Sequence, residues 1–219
     1  MSNNSLKQNN KMKKVLLIIT AVILGVNIGH AQDENSDSRT KLQLGIKAGI
    51  NYSNVYDSEG EDFVADPKIG FVGGAFVAIP LGKFLGFQPE MLLSQKGFKA
   101  TGSILGIDYD YTRTSTFIDV PLFLQLKPSE AITLVAGPQF SFLIKQKDKL
   151  GDSSIDQDFD NDNIRRNTMG FVLGIDICPS NLVISARAGW DIQNNKGDGT
   201  SEVPRYKNVW YQATIGFRF

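Results

Sequence analysis

Two groups of residues in the chain have side chains and spacings that could do chemistry. The first is the acidic stretch 148–162, in which aspartates recur at every second position from Asp156 to Asp162. Carboxylates with this spacing can converge on a hard cation such as Ca²⁺. An EF-hand loop counted from Asp156 needs Gly at its sixth position and Glu at its twelfth, where this chain has Asn161 and Asn167. We therefore expect a solvated loop without a metal site, and weak Ca²⁺ binding is the alternative.

The second group is a set of charged residues scattered along the chain. One interpretation is an active site made of Lys47, Glu90, Arg113, Asp119 and Arg187. The only histidine, His30, lies in a segment that we expect to be removed, so the usual base that activates a nucleophile is absent. We therefore expect no catalytic residue and no cofactor, and we predict instead a buried network of mutually satisfied charges. Its members are Lys47, Glu90, Arg113, Asp119, Asp176, Arg187 and Arg218.

The segments that must position these charges alternate between apolar and small or polar residues with a period of two. In the last run, Val209, Tyr211, Ala213, Ile215, Phe217 and Phe219 form one face, while Trp210 is the one large apolar residue on the other. Such alternation is typical of β-strands with two different faces. It predicts eight strands, at about 42–52, 69–80, 84–97, 117–126, 131–146, 168–178, 182–193 and 208–219.

The connections between these runs alternate strictly in length. Three of them, 81–83, 127–130 and 179–181, are tight turns, and four are long and polar: 53–68, 98–107, 147–167 and 194–206. This alternation is typical of an antiparallel up-and-down barrel whose two rims face different compartments, with the short turns periplasmic and the long loops extracellular. The sequence therefore predicts an all-β, eight-stranded antiparallel barrel with both chain ends at the periplasmic rim.

The sequence of a soluble eight-stranded barrel alternates in the same way, so alternation does not show which face points outward. The composition of the polar face distinguishes the two arrangements. If the apolar face pointed inward, the surface would carry glycines such as Gly45 and Gly189 among few charges, which is a poor surface in water. If the apolar face meets lipid, charges of both signs line a narrow lumen and can pair there. We therefore predict a transmembrane barrel filled by its own side chains, with Lys96, Lys145 and Asp191 also inside.

The N-terminal residues have the pattern of a secretory signal peptide. Lysines at positions 11, 13 and 14 precede a short apolar stretch, 15–28, and small residues end at Ala31. We predict a cleaved signal peptide at 1–31, a short periplasmic segment at 32–41 and the barrel domain at 42–219; an uncleaved anchor is the alternative. Without residues 1–31 the chain has 19 basic and 23 acidic residues, and this net negative charge disfavours nucleic acid as a partner. The lone Cys178 permits no internal disulfide.

Four short blocks stand out in the barrel domain 42–219, at 44–51, 88–97, 118–122 and 136–138. In the sequence and the order of these blocks the chain resembles the PorT-like outer-membrane β-barrel family of Bacteroidetes. The resemblance implies an integral outer-membrane barrel of a Gram-negative bacterium and implies no particular activity.

The C-terminal aromatic residues are similar to the signal that the barrel-assembly machinery reads during insertion. These residues are Tyr211, Phe217 and Phe219. The expected partners are therefore outer-membrane lipid, the assembly machinery, and an extracellular or secretion-system partner, and we expect a monomer. Our first functional hypothesis is a structural or surface-interaction role through the loops 53–68 and 147–167. The alternative is narrow transport or a secretion-accessory role, and an outer-membrane enzyme comes third.

Overall fold

A computed structural model of the chain describes residues 37–56, 64–104, 107–150, 153–156, 165–195 and 205–219. Within these ranges a 3₁₀ turn at Ser38–Thr40 is followed by nine β-strands. The strands are β1 (Gln43–Tyr56), β2 (Val64–Pro80), β3 (Leu85–Ile104), β4 (Ile107–Leu126), β5 (Ile132–Leu150), β6 (Ser153–Asp156), β7 (Asn167–Ile177), β8 (Leu182–Asp191) and β9 (Lys207–Arg218). Among these residues no helix is long and apolar enough to cross a bilayer. The predicted signal peptide lies outside the described residues.

Eight of the strands close into an antiparallel barrel. β1 pairs with β2 on one side and with β9 on the other, and the β4–β5 pairing completes the circle. The short strand β6 pairs only with the end of β5, among the strands that the structure describes. The predicted eight-stranded up-and-down barrel is thus confirmed. Closure satisfies the backbone groups of every barrel strand internally, as a hydrocarbon environment requires.

The outer wall of the barrel is apolar. Large hydrophobic side chains such as Ile46, Phe71, Leu124, Ile175 and Ile215 point away from the lumen and are exposed. On β9 the burial alternates residue by residue, with Gln212 and Thr214 buried between exposed neighbours. A soluble monomer does not expose an apolar surface of this extent, so this wall is the surface that meets lipid.

The two rims of the barrel differ. One rim carries the three short connections. Both ends of the described chain lie at the same rim, because Phe219 exchanges backbone hydrogen bonds with Leu44 near the start of β1. We call this rim the turn end, and the opposite rim, toward which the long connections run, the loop end. The last of the short turns is closed by Ser180, whose φ of 58° is left-handed.

Several strands extend well past the predicted boundaries at the loop end. The predicted loop 98–107 is largely paired strand, because β3 reaches Ile104 and β4 begins at Ile107. The predicted loop 147–167 likewise contains the end of β5 and all of β6. A strand needs about ten residues to cross the membrane, and β3 and β4 have 20 each. These loop predictions were wrong because strand pairing continues outside the membrane, where the outward face need no longer be apolar.

A β-bulge interrupts the β4–β5 pairing and changes which face the residues of β5 present. Thr116 pairs with Lys145, but the next residue, Phe117, pairs with Leu143, so that Ile144 is the extra residue. Ile144 and Lys145 are consequently both exposed on the outer wall. The prediction that Lys145 lines the lumen was wrong, because simple alternation does not include a bulge.

Candidate functional site: a lumen filled by paired charges

The half of the lumen nearer the turn end holds four of the predicted charges in one network. Lys47 Nζ donates to Glu90 Oε1 at 2.6 Å, and both side chains are 1% exposed. Arg187 Nη2 lies 2.6 Å from Asp176 Oδ1 and 3.8 Å from Glu90 Oε1. Two cations therefore face two carboxylates, and the network is electrically balanced. Pairing of this kind is what allows charges to lie in a buried interior.

Neutral amides extend this network across the lumen. Gln88 Nε2 donates to Glu90 Oε1 at 2.6 Å, and Gln125 Nε2 in turn donates to Gln88 Oε1. The chain of contacts therefore links β1 to β3, β4, β7 and β8. Gln125 is buried between the exposed Leu124 and Leu126, so the alternation along β4 is consistent with its inward position, but alternation alone could not identify its partner.

An apolar layer lies between this network and the part of the lumen nearer the loop end. Phe123, Val135, Val172 and Trp210 form a buried cluster inside the barrel. Trp210 is only 1% exposed, which explains why it stands on the otherwise small and polar face of β9. The indole lies against Gly189, where an added Cβ would overlap its six-membered ring. Small residues on the inner wall thus make room for large ones inside a narrow barrel.

A second pair of charges lies beyond this layer. Lys96 Nζ is 3.0 Å from Asp119 Oδ2 and 3.8 Å from the centroid of the Trp210 ring. A cation over the face of a tryptophan is attracted by the ring quadrupole. Nearby, Asp191 Oδ2 accepts a hydrogen bond from Asn208 Nδ2 at 2.6 Å. Asp119 therefore belongs to a different part of the lumen from Glu90.

Arg113 lies still further toward the loop end. It pairs in a bidentate manner with Asp148, with Nε–Oδ1 and Nη2–Oδ2 distances both of 2.8 Å. Its Nη1 also donates to the Tyr206 hydroxyl at 3.3 Å. The Tyr206 ring packs edge-on against Phe98, with centroids 5.2 Å apart. Sequence reasoning missed Asp148 and Tyr206 as partners, because both lie in segments predicted to be solvated loops.

The turn end is covered by the residues that precede β1. Asp37 pairs with Arg39 at 2.6 Å and with Lys83 at 3.3 Å, and Lys127 Nζ donates to the carbonyl of Arg39 at 3.2 Å. The hydrogen bond from Arg39 holds the pKa of Asp37 well below its usual range. Burial, reinforced by the positive charge of Arg218, lowers the pKa of Lys127. These contacts close the rim over a small recess.

Arg218 does not join the lumen network that the sequence predicted for it. It lies half-buried at the rim, where its guanidinium donates to the carbonyl of Ser180 at 2.7 Å and to Gln43 Oε1 at 3.1 Å. It lines the recess together with Lys127 and Cys178. The predicted network is therefore divided into three parts: the group around Glu90, the Lys96–Asp119 pair and the Arg113–Asp148 pair. Arg218 belongs to none of them.

The remaining sequence predictions concern a metal site and an assembly signal. In the ranges that the structure describes, no three His, Cys, Asp or Glu side chains could hold one metal ion. Residues 151–152 and 157–162 of the acidic stretch 148–162 lie outside the described residues, so weak Ca²⁺ binding there stays an alternative. Tyr211, Phe217 and Phe219 all point outward from β9 and its end. Their role as an assembly signal stays a prediction, because it concerns binding to the assembly machinery.

The charged side chains inside the barrel are mostly paired with one another. The carboxylates of Glu90, Asp119, Asp148 and Asp176 inside the barrel are each paired with a lysine or an arginine, and Asp191 accepts a hydrogen bond from the amide of Asn208. Buried apolar and aromatic side chains, in clusters around Trp210 and around Phe98, lie inside the barrel together with these charges. The arrangement holds the eight strands together across their centre.

Comparison with known proteins agrees with this geometry. The family described as outer membrane protein beta-barrel domain matches residues 30–196, and the chain belongs to this family. The protein is accordingly an outer-membrane β-barrel. No match to the chain is found among curated proteins.

Solved structures of outer-membrane barrels share the fold. Neisserial surface protein A is 12% identical and has a TM-score of 0.50, covering 80% of this chain and 97% of that one. Ail of Yersinia pestis, in complex with the heparin analogue sucrose octasulfate, is 18% identical with a TM-score of 0.48, covering 82% and 99%. OprG of Pseudomonas aeruginosa is 11% identical with a TM-score of 0.41, covering 81% and 95%. The similarity to the Neisserial protein shows the fold alone.

Proposed function

We propose that this barrel acts through the surface of its loop end and does not form an open pore. The observation that carries the proposal is the paired, side-chain-filled lumen, in which Lys47, Glu90 and Arg187 lie across the path that a solute would take. Strands β3, β4 and β5 continue past the apolar wall and form a paired sheet with β6 beyond it. A rigid sheet outside the membrane is a suitable platform for contacts with other molecules.

The proposal includes an orientation and a maturation route. The loop end faces the exterior and the turn end faces the periplasm, since short turns at one rim and long connections at the other are typical of barrels inserted in this way. Residues 1–31 act as the cleaved signal peptide, residues 32–41 remain periplasmic, and Tyr211, Phe217 and Phe219 serve as the assembly signal. The mature barrel acts as a monomer and has no catalytic role.

The runner-up is the secretion-accessory or narrow-transport role that a PorT-like barrel of Bacteroidetes would have. The recess at the turn end favours it, since Lys127, Arg218 and Gln125 line a polar depression on the side proposed to face the periplasm. A periplasmic component could dock there without any pore through the barrel.

Site-specific crosslinking in cells separates the two roles. A photoreactive residue is placed at Lys99 or Thr112 on the loop end, and at Lys83 or Glu130 on the turn end as the matched control. The surface role predicts adducts from the first pair and none from the second. Adducts formed only from Lys83 and Glu130 would favour the accessory role instead. Planar-bilayer recording supplies a second readout, because a filled lumen predicts no steady conductance.

A further inference from the structure

Asp191, at the end of β8, carries a buried carboxylate without a cationic partner. The residue is 1% exposed, and within the part of the chain that the structure describes no lysine or arginine lies within ion-pair distance of it. Its Oδ2 accepts hydrogen bonds from the backbone N–H and the side-chain amide of Asn208, at 3.3 and 2.6 Å. Its Oδ1 has no hydrogen-bond partner among the same residues. A charge buried in this way is unfavourable unless it is paired.

The buried charges inside the barrel do not balance. Among the described residues, the lumen between the two rims holds five carboxylates and four cations. The carboxylates are those of Glu90, Asp119, Asp148, Asp176 and Asp191, and the cations are those of Lys47, Lys96, Arg113 and Arg187. Lys127 and Arg218 lie at the turn end, at the opposite end of the lumen from Asp191. Arg165, Arg166 and Arg205, toward the loop end, have interactions of their own. One negative charge is therefore left over, at Asp191.

Lys96 cannot neutralise Asp191 as well as its own partner. Its ammonium lies 3.0 Å from Asp119 Oδ2, donates to Ser141 Oγ at 3.4 Å and lies 3.8 Å from the centroid of the Trp210 ring. A lysine ammonium has three N–H donors, and these contacts occupy them. The charges of both Lys96 and Asp119 act on the Asp191 carboxylate, so the two aspartates share one lysine. Asp119 Oδ1 is also buried and has no hydrogen-bond partner among the described residues.

The register of the strands brings a third unpaired oxygen to the same part of the lumen. Asp119 on β4 is opposite Ser141 on β5, which is opposite Thr168 on β7. The next inward residue of β7 is Gly170, which is opposite Asp191 on β8. A Cβ added to Gly170 would lie 3.2 Å from Asp191 Oδ1, so this oxygen lies against β7, the strand that carries Thr168. The Thr168 hydroxyl is buried and has no hydrogen-bond partner in the part of the chain that is described.

We propose that this part of the lumen binds one small monovalent cation, of the sodium type, through Asp191 Oδ1 and the Thr168 hydroxyl oxygen, with Asp119 adding negative charge. Hard cations prefer oxygen ligands, and all three groups supply them. One positive charge neutralises the excess at Asp191, whereas a divalent ion would reverse it. Ca²⁺ also takes about six to eight oxygen ligands, which is more than these residues provide. The site does not depend on which rim of the barrel faces the exterior.

Unfolding in different salts tests the site, because a ligand that binds only the folded barrel raises its stability with ligand concentration. The full-length mature barrel is refolded into vesicles of zwitterionic lipid and unfolded with urea, in sodium chloride or in N-methylglucamine chloride at equal ionic strength, so that screening is the same. Above the dissociation constant, each tenfold rise in sodium should raise the ratio of folded to unfolded protein about tenfold. Equal urea midpoints in the two salts would overturn the proposal. A larger response to Ca²⁺ than to sodium would overturn the monovalent assignment.

A pair of matched variants locates the site. Asp191→Asn keeps the shape of the side chain and removes its charge, and Asp37→Asn removes a carboxylate at the turn end. Sodium should stabilise Asp37→Asn as it does the wild type and should leave Asp191→Asn unchanged. A sodium response that Asp191→Asn retains in full would contradict the assignment. Sodium NMR supplies a readout without unfolding, because the folded wild type should broaden the sodium signal more than folded Asp191→Asn does. Equal line widths would overturn the proposal, and heat-modifiable gel migration verifies that both variants are folded.

Discussion

Glu90→Gln removes one buried charge from the lumen and keeps the shape of the side chain. In the wild type, Lys47 Nζ lies 2.6 Å from Glu90 Oε1 with both side chains 1% exposed, so the variant leaves a buried ammonium without its carboxylate. Arg187 keeps Asp176 at 2.6 Å, so a single cation is left without its counter-ion. Breaking a buried pair in this way costs about 3–5 kcal/mol. The loss is a large share of the stability of an ordinary small domain, which is about 5–15 kcal/mol.

The assay is urea unfolding of the barrel in lipid vesicles, followed by tryptophan fluorescence and extrapolated linearly to water. Lys83→Gln is the matched control, since the Lys83–Asp37 pair is at the rim and Lys83 is 54% exposed; it should cost about 0–1 kcal/mol. In K47M/E90Q no ammonium is left unpaired, and the double variant should be more stable than Glu90→Gln by at least about 2 kcal/mol. The reasoning is refuted if Glu90→Gln is no less stable than Lys83→Gln.

Three further predictions concern the lipid face, the packing of the lumen and the turn end. Ala186→Arg, at the middle of the outward face of β8, should lower the free energy of unfolding by about 2–4 kcal/mol, whereas Ala186→Leu should not; urea unfolding in vesicles measures both. Gly189→Val should displace the Trp210 ring, shift its fluorescence to longer wavelength and cost about 1–3 kcal/mol, and an unchanged spectrum would contradict the packing described. The hydrogen bond from Arg39 lowers the pKa of Asp37, so the ionised Asp37 stabilises the fold at pH values above the ordinary aspartate pKa. This stabilisation is lost as the pH falls through the lowered pKa of Asp37. In an NMR titration Arg39→Ala should raise the pKa of Asp37, and no change would show that the pair does not control it.

The sequence predicts the membrane-embedded part of the fold well, for a physical reason. Between Leu182 and Asp191 one side of the strand meets lipid and the other meets charges, so that the two faces have opposite compositions. The same contrast identifies Lys47, Glu90 and Arg187 as inward residues before any coordinates are known. The strict alternation of short and long connections then gives the antiparallel order.

The sequence predicts the loop end poorly, because the contrast between the two faces disappears outside the membrane. Thr112, Thr114 and Thr116 point outward on a paired strand, yet they have none of the apolar character that identifies a lipid-facing position. Lys145 was assigned to the wrong face because a single extra residue, Ile144, reverses the alternation. Continued alternation of Arg113 and Ser115 between these threonines is the signal that could have extended the strand.

The partners of the buried charges also could not be predicted. Lys47 and Glu90 are 43 residues apart, and Arg113 and Asp148 are 35 apart. Which of them meet depends on the registers of several strand pairs and on the bulges that shift them. Alternation fixes the face on which a residue lies, but it does not fix its height in the barrel.

Lipid accessibility along β8 tests the central claim most directly. Single cysteines are introduced from position 182 to 188 in a Cys178→Ser background, labelled with a fluorophore and exposed to quenchers carried on lipid acyl chains. Positions 182, 184, 186 and 188 should be quenched strongly and positions 183, 185 and 187 weakly, because the apolar side of the strand faces the membrane and the side of Arg187 faces the lumen. Strong quenching at 183, 185 and 187, or equal quenching throughout, would contradict a lipid-facing apolar wall around a charged interior.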